Sequence, residues 1–239
     1  MRFLLVNDDG YDARGINIVF SELKKFGEVV MLAPRFHQSG KSCSITIGKP
    51  IDIIKHDENI YSCNGTPADC VRLALGYFEE KFDVVVSGCN HGYNVSYDTL
   101  YSGTIGAGLQ ALMANKKTIC LSAHHKNLDI VEKELNGVLS FVFDKDLMSN
   151  KYLLNINFPS DKHTVSKGIK LATEYKREFG EFLKKTDDGY IVDRNKDEIF
   201  PSTIDDSYLV ENGYIAISPL KASLYSSNGF EELKNKLNK

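Results

Sequence analysis

Two adjacent carboxylates near the N-terminus, Asp8 and Asp9, are the first residues whose types indicate chemistry. They follow a short apolar run and lie within the motif Asn-Asp-Asp-Gly. Neighbouring carboxylates at the end of a buried strand repel each other unless a cation lies beside them. Oxygen ligands of this kind suit Mg²⁺ or Mn²⁺. The same residue types also form ordinary turns, so the motif favours a metal site without excluding a plain turn.

A second segment, residues 34–44, is rich in hydroxyls and glycine, and it can bring Ser39 close to the first loop. Its composition fits a ligand-binding loop and a flexible turn about equally well. His37 is a candidate proton donor, but a single histidine in a loop is more often incidental. Arg35 and Lys41 are interpreted as solvated surface charges.

A third segment spans residues 87–104. Asn90 offers a neutral amide oxygen directly after a predicted strand. Ser102, Gly103 and Thr104 begin a predicted helix with free backbone N–H groups, two hydroxyls and little side-chain bulk, which is a phosphate-binding arrangement without a lysine. The alternative is a capped helix whose small residues pack closely on a sheet.

Several common catalytic motifs are absent from this sequence. It contains no G-x-x-x-x-G-K-[ST] and no G-x-S-x-G, and no G-x-G-x-x-G follows the first strand. These absences exclude the P-loop, the nucleophile elbow and the dinucleotide-binding fingerprint. Asp8 and Asp9 are adjacent, so the D-x-D arrangement of phosphatases that form an aspartyl phosphate is absent too.

The elements that must position these loops begin as a βαβ unit. Residues 3–6 form a continuous apolar run, residues 15–26 carry an apolar stripe at helical spacing, and residues 29–33 are apolar again. This pattern predicts a parallel sheet with right-handed crossovers. Further strands are predicted at 44–47, 51–54, 60–63, 82–86, 118–121 and 152–156, with helices starting at Thr66 and Ser102 and spanning 131–143. Ligands of such folds bind beyond the carboxyl ends of the strands, where all three loops lie.

The pattern weakens after Pro159. β-like pieces occur at 168–173 and 190–192, a short helix is predicted near 207–209 and a strand at 214–217, and the tail from 228 to 237 is weakly amphipathic. We therefore predict an α/β catalytic core over residues 1–158. Residues 159–239 are predicted to form a C-terminal region with a β-hairpin-like extension and a returning strand and helix, within the same structural unit.

The composition is that of an ordinary globular protein. The 239 residues are 42% hydrophobic and 26% charged, with a formal net charge of −3. These values exclude disorder and argue against a basic nucleic-acid binder. The five cysteines are odd in number and form no C-x-x-C, so we interpret them as reduced thiols of a cytoplasmic protein. The N-terminal apolar run is too short for a signal peptide or membrane anchor, and no apolar stretch approaches 18 residues.

Taken together, the motifs resemble those of the SurE family of survival proteins. The matching segments are residues 7–10 with 15–16, 33–34 with 38–40, 65–71, 87–94 and 101–104. Their order and spacing agree over residues 1–122, and a weaker likeness covers Asp206, residues 213–214 and residues 218–220. Cys89 departs from the family, in which a branched aliphatic residue is more usual there.

The resemblance implies a three-layer, Rossmann-like α/β core with a mostly parallel sheet, plus an irregular C-terminal extension that takes part in oligomerisation. It implies a divalent-metal-dependent phosphatase acting on nucleoside 5′- and 3′-monophosphates, assembled as a homodimer or homotetramer with exchanged C-terminal segments. By position, one Mg²⁺ or Mn²⁺ per subunit is expected on Asp8, Asp9, Ser39 and Asn90, with the two aspartates as catalytic residues. The phosphate is expected on Asn94, Ser102, Gly103 and Thr104. His37, at a variable position, is expected to affect substrate choice at most.

Two other functions remain open from the residues alone. One is a non-catalytic, nucleotide-binding regulatory protein, and the other is a phosphatase that prefers polyphosphate or sugar phosphates. Asp8 and Asp9 count against the first, because two carboxylates beside a phosphate repel it unless a cation intervenes. For hydrolysis, direct attack by water is favoured over an aspartyl-phosphate on Asp8, because each carboxylate is expected to be committed to the metal.

Overall fold

A mostly parallel sheet organises the chain, as described by a computed structural model for residues 1–79, 81–173, 181–194 and 202–237. Within these residues, nine strands hydrogen-bond in the order β3-β4-β2-β1-β5-β6-β7-β11-β8, and β9 and β10 form a separate hairpin. The strands are β1 (Arg2–Val6), β2 (Glu28–Pro34), β3 (Ile53–Asp57), β4 (Ile60–Cys63), β5 (Val84–His91), β6 (Lys117–Ala123), β7 (Leu153–Asn157), β8 (Ile169–Leu171), β9 (Glu181–Thr186), β10 (Gly189–Arg194) and β11 (Ile215–Leu220).

The order of the strands reverses direction beside β1. The chain runs from β1 outward to β2 and β4, then returns to place β5 on the other side of β1. β1 pairs in parallel with both neighbours, in registers that match Phe3 with Val29 and with Val84. Such a switch point leaves a crevice at the carboxyl ends of the two central strands. Asp8 follows β1 and Asn90 lies near the end of β5, so both border this crevice.

Helices cover both faces of the sheet. The helices are α1 (Arg14–Leu23), α2 (Pro67–Tyr77), α3 (Asp98–Tyr101), α4 (Gly103–Met113), α5 (Leu128–Asp144), α6 (Asp206–Glu211) and α7 (Ser227–Leu237). Apolar residues of α1 and α5 pack with one face of the strands in a cluster that includes Phe3, Leu5 and Phe158. α2 and α4 pack on the opposite face against Leu4 and Val6. The predicted three-layer α/β architecture is confirmed.

The start of α2 follows its sequence signal. Thr66 is the N-cap, its hydroxyl accepts a hydrogen bond from the Asp69 backbone N–H, and the Asp69 carboxylate accepts one from the Thr66 N–H. Pro67 occupies the first helical position. These reciprocal bonds form a capping box, which satisfies two N–H groups that the helix itself leaves unpaired. The Asp69 carboxylate also accepts bonds from the backbone N–H and the hydroxyl of Thr46, so the cap fixes the preceding loop as well.

α4 lies unusually close to its neighbours because its inner residues are small. A Cβ on Gly106 would fall 1.9 Å from the Ser42 carbonyl oxygen, and one on Gly108 would fall 2.3 Å from the Cys120 sulfur. Any larger side chain would push the helix away from both. The small residues of α4 therefore pack closely, as one interpretation of the sequence expected. The N-terminal end of α4 lies at the crevice.

Two local expectations differ from the structure. Residues 44–47 form no strand, because Thr46 directs its hydrogen bonds to Asp69. β5 extends to His91, so Asn90 lies within a strand and not in a loop. Glu181–Thr186 forms β9, which pairs with β10 across a tight turn at residues 187–188, within the region for which a β-hairpin-like extension is predicted. The predicted end of the core at residue 158 falls just after β7, while β11 returns to pair with β7.

No helix among the residues of these four ranges is long and apolar enough to cross a membrane.

All five cysteines are free thiols, and only Cys43 is exposed. The sulfurs of Cys63 and Cys70 lie 3.3 Å apart in the core between β4 and α2.

Candidate active site

Asp8 lies at the centre of the crevice, buried beside the start of α4. The Thr104 hydroxyl donates a hydrogen bond of 2.6 Å to Asp8 Oδ1, and the Gln38 backbone N–H donates to the Asp8 carbonyl oxygen at 2.7 Å. One residue thus joins the end of β1 to both other predicted loops. Burial raises the pKa of the Asp8 carboxyl to about 6, and the charge of Asp9 adds to this, while the bond from Thr104 opposes it.

Asp9 points to a different set of partners. Its Oδ1 lies 3.3 Å from His37 Nε2, and its Oδ2 accepts a hydrogen bond from the His91 backbone N–H at 3.1 Å. The Asp9 side chain is only 8% exposed, whereas that of His37 is 62% exposed. His37, which sequence reasoning treated as incidental, therefore contacts a predicted catalytic carboxylate. A histidine three residues past Pro34 gives no sequence signal for this contact, because the path of the loop decides it.

Gly103 is the position where α4 approaches Asp8 most closely. A Cβ there would fall 2.9 Å from Asp8 Cβ, 3.0 Å from Asp8 Oδ2 and 3.2 Å from the Gln38 carbonyl oxygen. Ser102 caps the helix, since its Oγ accepts a hydrogen bond from the Ile105 N–H. The helix itself cannot satisfy its first N–H groups, and the positive end of its dipole lies beside the Asp8 carboxylate. An anion bound here would meet N–H groups, hydroxyls and no side-chain obstruction.

Ser39 and Asn90 border the same crevice. Ser39 is exposed and follows Gln38, whose N–H binds the Asp8 carbonyl. The Asn90 side-chain nitrogen donates to the Gly92 carbonyl oxygen at 2.9 Å, which leaves its amide oxygen for another partner. Within the described ranges, neither side chain hydrogen-bonds to Asp8 or Asp9.

Asn94 is placed beyond β5, over the ends of β6 and β7. Its Nδ2 donates to Ser122 Oγ at 2.7 Å, and its backbone N–H and carbonyl both bind the Asn157 side chain. The carbonyl also accepts a bond from Asn155. Asn155 and Asn157 were not recognised from the sequence. The signal that could have found them is the alternation Leu154-Asn155-Ile156-Asn157, which places two asparagines on one face of a strand that is buried on both faces.

The donor set fits a hard divalent cation. It combines the two carboxylates with a hydroxyl and an amide oxygen, which are the ligand types that Mg²⁺ and Mn²⁺ prefer. No group of three or more His, Cys, Asp and Glu side chains able to hold a metal occurs in the described part of the chain, and the predicted ligands include only two such residues. The repulsion between Asp8 and Asp9, which helps to raise the pKa of Asp8, is the electrostatic problem that a cation relieves.

Comparison with known proteins places this geometry in context. Residues 3–181 match the family model described as survival protein SurE. A 5′-nucleotidase SurE of Clostridium botulinum (strain Kyoto / Type A2) is 38% identical in an alignment that covers 97% of each chain. A 5′-nucleotidase SurE of Histophilus somni (strain 2336) is 32% identical in an alignment that covers 100% of each chain. The crystal structure of the SurE protein from Aquifex aeolicus superposes with a TM-score of 0.87, at 33% identity and full coverage of both chains.

Proposed function

Because this chain belongs to the SurE family of survival proteins, we propose that it is a 5′-nucleotidase. It hydrolyses nucleoside 5′-monophosphates, and also 3′-monophosphates, to nucleoside and inorganic phosphate. The observation that carries this conclusion is the 2.6 Å bond between Thr104 and Asp8. That bond brings an anion-binding helix start against a carboxylate pair, and a phosphate can occupy such a place only with a cation between them.

We assign the cation to Asp8, Asp9, Ser39 and Asn90, as one Mg²⁺ or Mn²⁺ per subunit. The free amide oxygen of Asn90 and the exposed hydroxyl of Ser39 support this assignment. When bound, the dication supplies positive charge that offsets the charge of the phosphate and polarises its P–O bonds.

The phosphate is assigned to the start of α4 and to Asn94. The N–H groups of Gly103 and Thr104, with the Ser102 hydroxyl, provide donors for the equatorial oxygens, where charge increases in the transition state. The Thr104 hydroxyl gives its one hydrogen to Asp8. The absent side chain at Gly103 gives the phosphate direct access to the backbone. Asn94 Nδ2 carries two hydrogens and gives one to Ser122, so the second remains for the phosphate.

The proton of the attacking water passes to Asp8 or Asp9. A carboxylate beside the attacking water can accept this proton as a general base. We favour direct attack by water over a covalent intermediate. Acid quenching during turnover, followed by detection of a phosphorylated Asp8, would contradict that preference.

The activity test uses the purified full chain and a panel of AMP, GMP, 3′-AMP, a sugar phosphate and a short polyphosphate. Phosphate release from the nucleotides should stop in EDTA and return with Mn²⁺ or Mg²⁺. Asp9→Asn should lower kcat by at least about 10²-fold, the low end for removing a key electrostatic group. Asp12→Asn is the matched control, because it removes the same charge from an exposed position three residues away. Full activity of Asp9→Asn, or turnover of sugar phosphate alone, would refute the assignment.

We further propose that the protein assembles as a homodimer or homotetramer by exchanging its C-terminal segment. α7 has no buried residue, although it carries Phe230, Leu233 and Leu237, and the preceding Leu224 is 98% exposed. Apolar side chains exposed together in this way favour a protein partner. Light scattering of the full chain should give a mass of two or four subunits, and a monomer at micromolar concentration would contradict the proposal.

A further inference from the structure

The loop that carries Asn94 is held to the sheet by side chains that no motif identified. We refer to residues 92–97, between β5 and α3, as the Asn94 loop. The Asn157 side chain forms two hydrogen bonds to one residue of this loop: its Oδ1 accepts from the Asn94 N–H at 2.9 Å, and its Nδ2 donates to the Asn94 carbonyl at 3.0 Å. Asn155 Nδ2 donates to the same carbonyl at 2.8 Å.

The amide of Asn157 therefore acts on Asn94 as a neighbouring β-strand would. In a hydrogen-bonded antiparallel pair, the N–H of each residue donates to the carbonyl oxygen of the other. A side-chain amide has both a donor and an acceptor and can imitate this pair of bonds. A carboxylate or a hydroxyl cannot accept and donate in the same geometry. The loop thus gains fixed backbone hydrogen bonds at a point where it leaves the sheet.

The register of the sheet brings the clamping side chains together. Asn90 of β5 lies opposite Ser122 of β6, and Ser122 lies opposite Asn157 of β7. Ser122 accepts the hydrogen bond from Asn94 Nδ2. One row across three strands thus contains a predicted metal ligand, the group that orients the Asn94 side chain and the group that holds its backbone. Asn155 lies two residues before Asn157 on the same face.

Burying two side-chain amides in the core costs free energy that apolar residues would not cost. Asn155 is 0% exposed and Asn157 is 1% exposed, and an amide removed from water must be paired to avoid a large penalty. Apolar residues at both positions could pack in the core, as Leu154 and Ile156 do on the other face of β7. Polar residues that contradict the burial pattern are expected chiefly at functional sites.

We infer that Asn155 and Asn157 are positioning residues, which act through Asn94 to set the distance between its free side-chain hydrogen and the phosphate. This inference rests on the proposed function, because it assumes that Asn94 contacts the phosphate. Misplacement of such a donor by about 1 Å can cost about 10²-fold in rate. A second anchor, the bond from the Ser96 N–H to Asp206 Oδ2 at 2.9 Å, holds the other end of the loop to α6.

The test compares Asn157→Ala with Asn127→Ala. Asn127 is a buried asparagine too, and its Nδ2 donates to the carbonyls of Ser160 and His163 and not to Asn94. Both variants should melt at a lower temperature than the wild type. Only Asn157→Ala should lower kcat/KM for AMP, by at least about tenfold, and weaken inhibition by inorganic phosphate by a similar factor, while Asn127→Ala should stay within about twofold.

A double-mutant cycle separates positioning from general destabilisation. If Asn157 acts through Asn94, then Asn94→Ala combined with Asn157→Ala should lose no more than about twofold beyond Asn94→Ala alone. The inference is overturned if the losses of kcat/KM in Asn94→Ala and Asn157→Ala multiply in the double variant. It is also overturned if Asn127→Ala loses as much as Asn157→Ala, or if Asn94→Ala is fully active. If Asn157→Ala does not fold, Asn155→Ala carries the same comparison. A wild type that releases no phosphate from AMP overturns the proposed function and this inference with it, whereas an active wild type with multiplying losses overturns this inference alone.

Discussion

Replacing Gly103 by alanine tests whether the approach of α4 to Asp8 sets the geometry of the site. The new Cβ would lie 2.9 Å from Asp8 Cβ and 3.2 Å from the Gln38 carbonyl oxygen, whereas ordinary contact begins at 3.4 Å. The helix start and Asp8 must therefore separate by about half an ångström. Because Gln38 presents a backbone atom, no side-chain rotation on that side can absorb the change.

The expected loss follows from that displacement. A positioning error of about 1 Å can cost about 10²-fold, so half of it predicts a fall of about tenfold in kcat/KM for AMP. Overpacking should also lower the free energy of unfolding by about 1–3 kcal/mol, partly offset by the better helix propensity of alanine. Phosphate release measured over a range of AMP concentrations at saturating Mn²⁺, together with thermal melts, gives both quantities.

The matched control is Gly137→Ala in α5, where an added Cβ meets nothing within 4 Å. This variant should keep full activity and gain about 0.5–1 kcal/mol of stability, because a glycine within a helix is replaced. The reasoning is refuted if Gly103→Ala matches the wild type in kcat/KM and melts no lower than the control.

Two stability predictions concern the buried carboxylates Asp8 and Asp69. The raised pKa of Asp8 means that the folded, metal-free chain retains a proton between about pH 4 and 6 that the unfolded chain loses, so the contribution of Asp8 to stability should fall by about 3 kcal/mol as pH rises through this window. In EDTA, Asp8→Asn should consequently melt above the wild type at pH 8 but not at pH 4, and a gap independent of pH would contradict the burial argument. Burial raises the pKa of Asp69, but the hydrogen bonds from Thr46 and Thr66 outweigh it and leave the pKa below its usual value. Asp69→Asn should therefore cost about 1–2 kcal/mol in urea unfolding at pH 7, a difference that disappears as pH falls through the lowered pKa, while exposed Asp144→Asn should cost nothing.

The central crevice could be predicted because the sequence indicates parallel strands, and ligands of such sheets bind beyond the carboxyl ends of the strands. Once residues 3–6, 29–33 and 82–86 are recognised as parallel strands, the segments after them must meet at one edge of the sheet. The contact between Asp8 and Thr104 lies at this edge. The capping box at Thr66 is similarly local, and a few neighbouring residue types determine it.

Contacts that depend on loop paths and on distant strands could not be predicted. Residues 44–47 have strand-forming types, yet Thr46 finds a carboxylate partner 23 positions away. The contact of His37 with Asp9 depends on where the loop turns. Asn157 acquires its role only through its register with Ser122 and the loop above it. The β9–β10 hairpin was easier to predict from the sequence, because Asp188-Gly189 is a strong hairpin signal within a charged stretch.

The position of β11 has a consequence for synthesis of the chain. This strand lies between β7 and β8 and pairs with both, although among the strands of the described residues it is synthesised last. Until residue 220 has emerged, one edge of β7 has no partner, and unpaired edges invite association with other chains. A nascent chain arrested before residue 215 should therefore be markedly more prone to aggregation and proteolysis than one released at its full length.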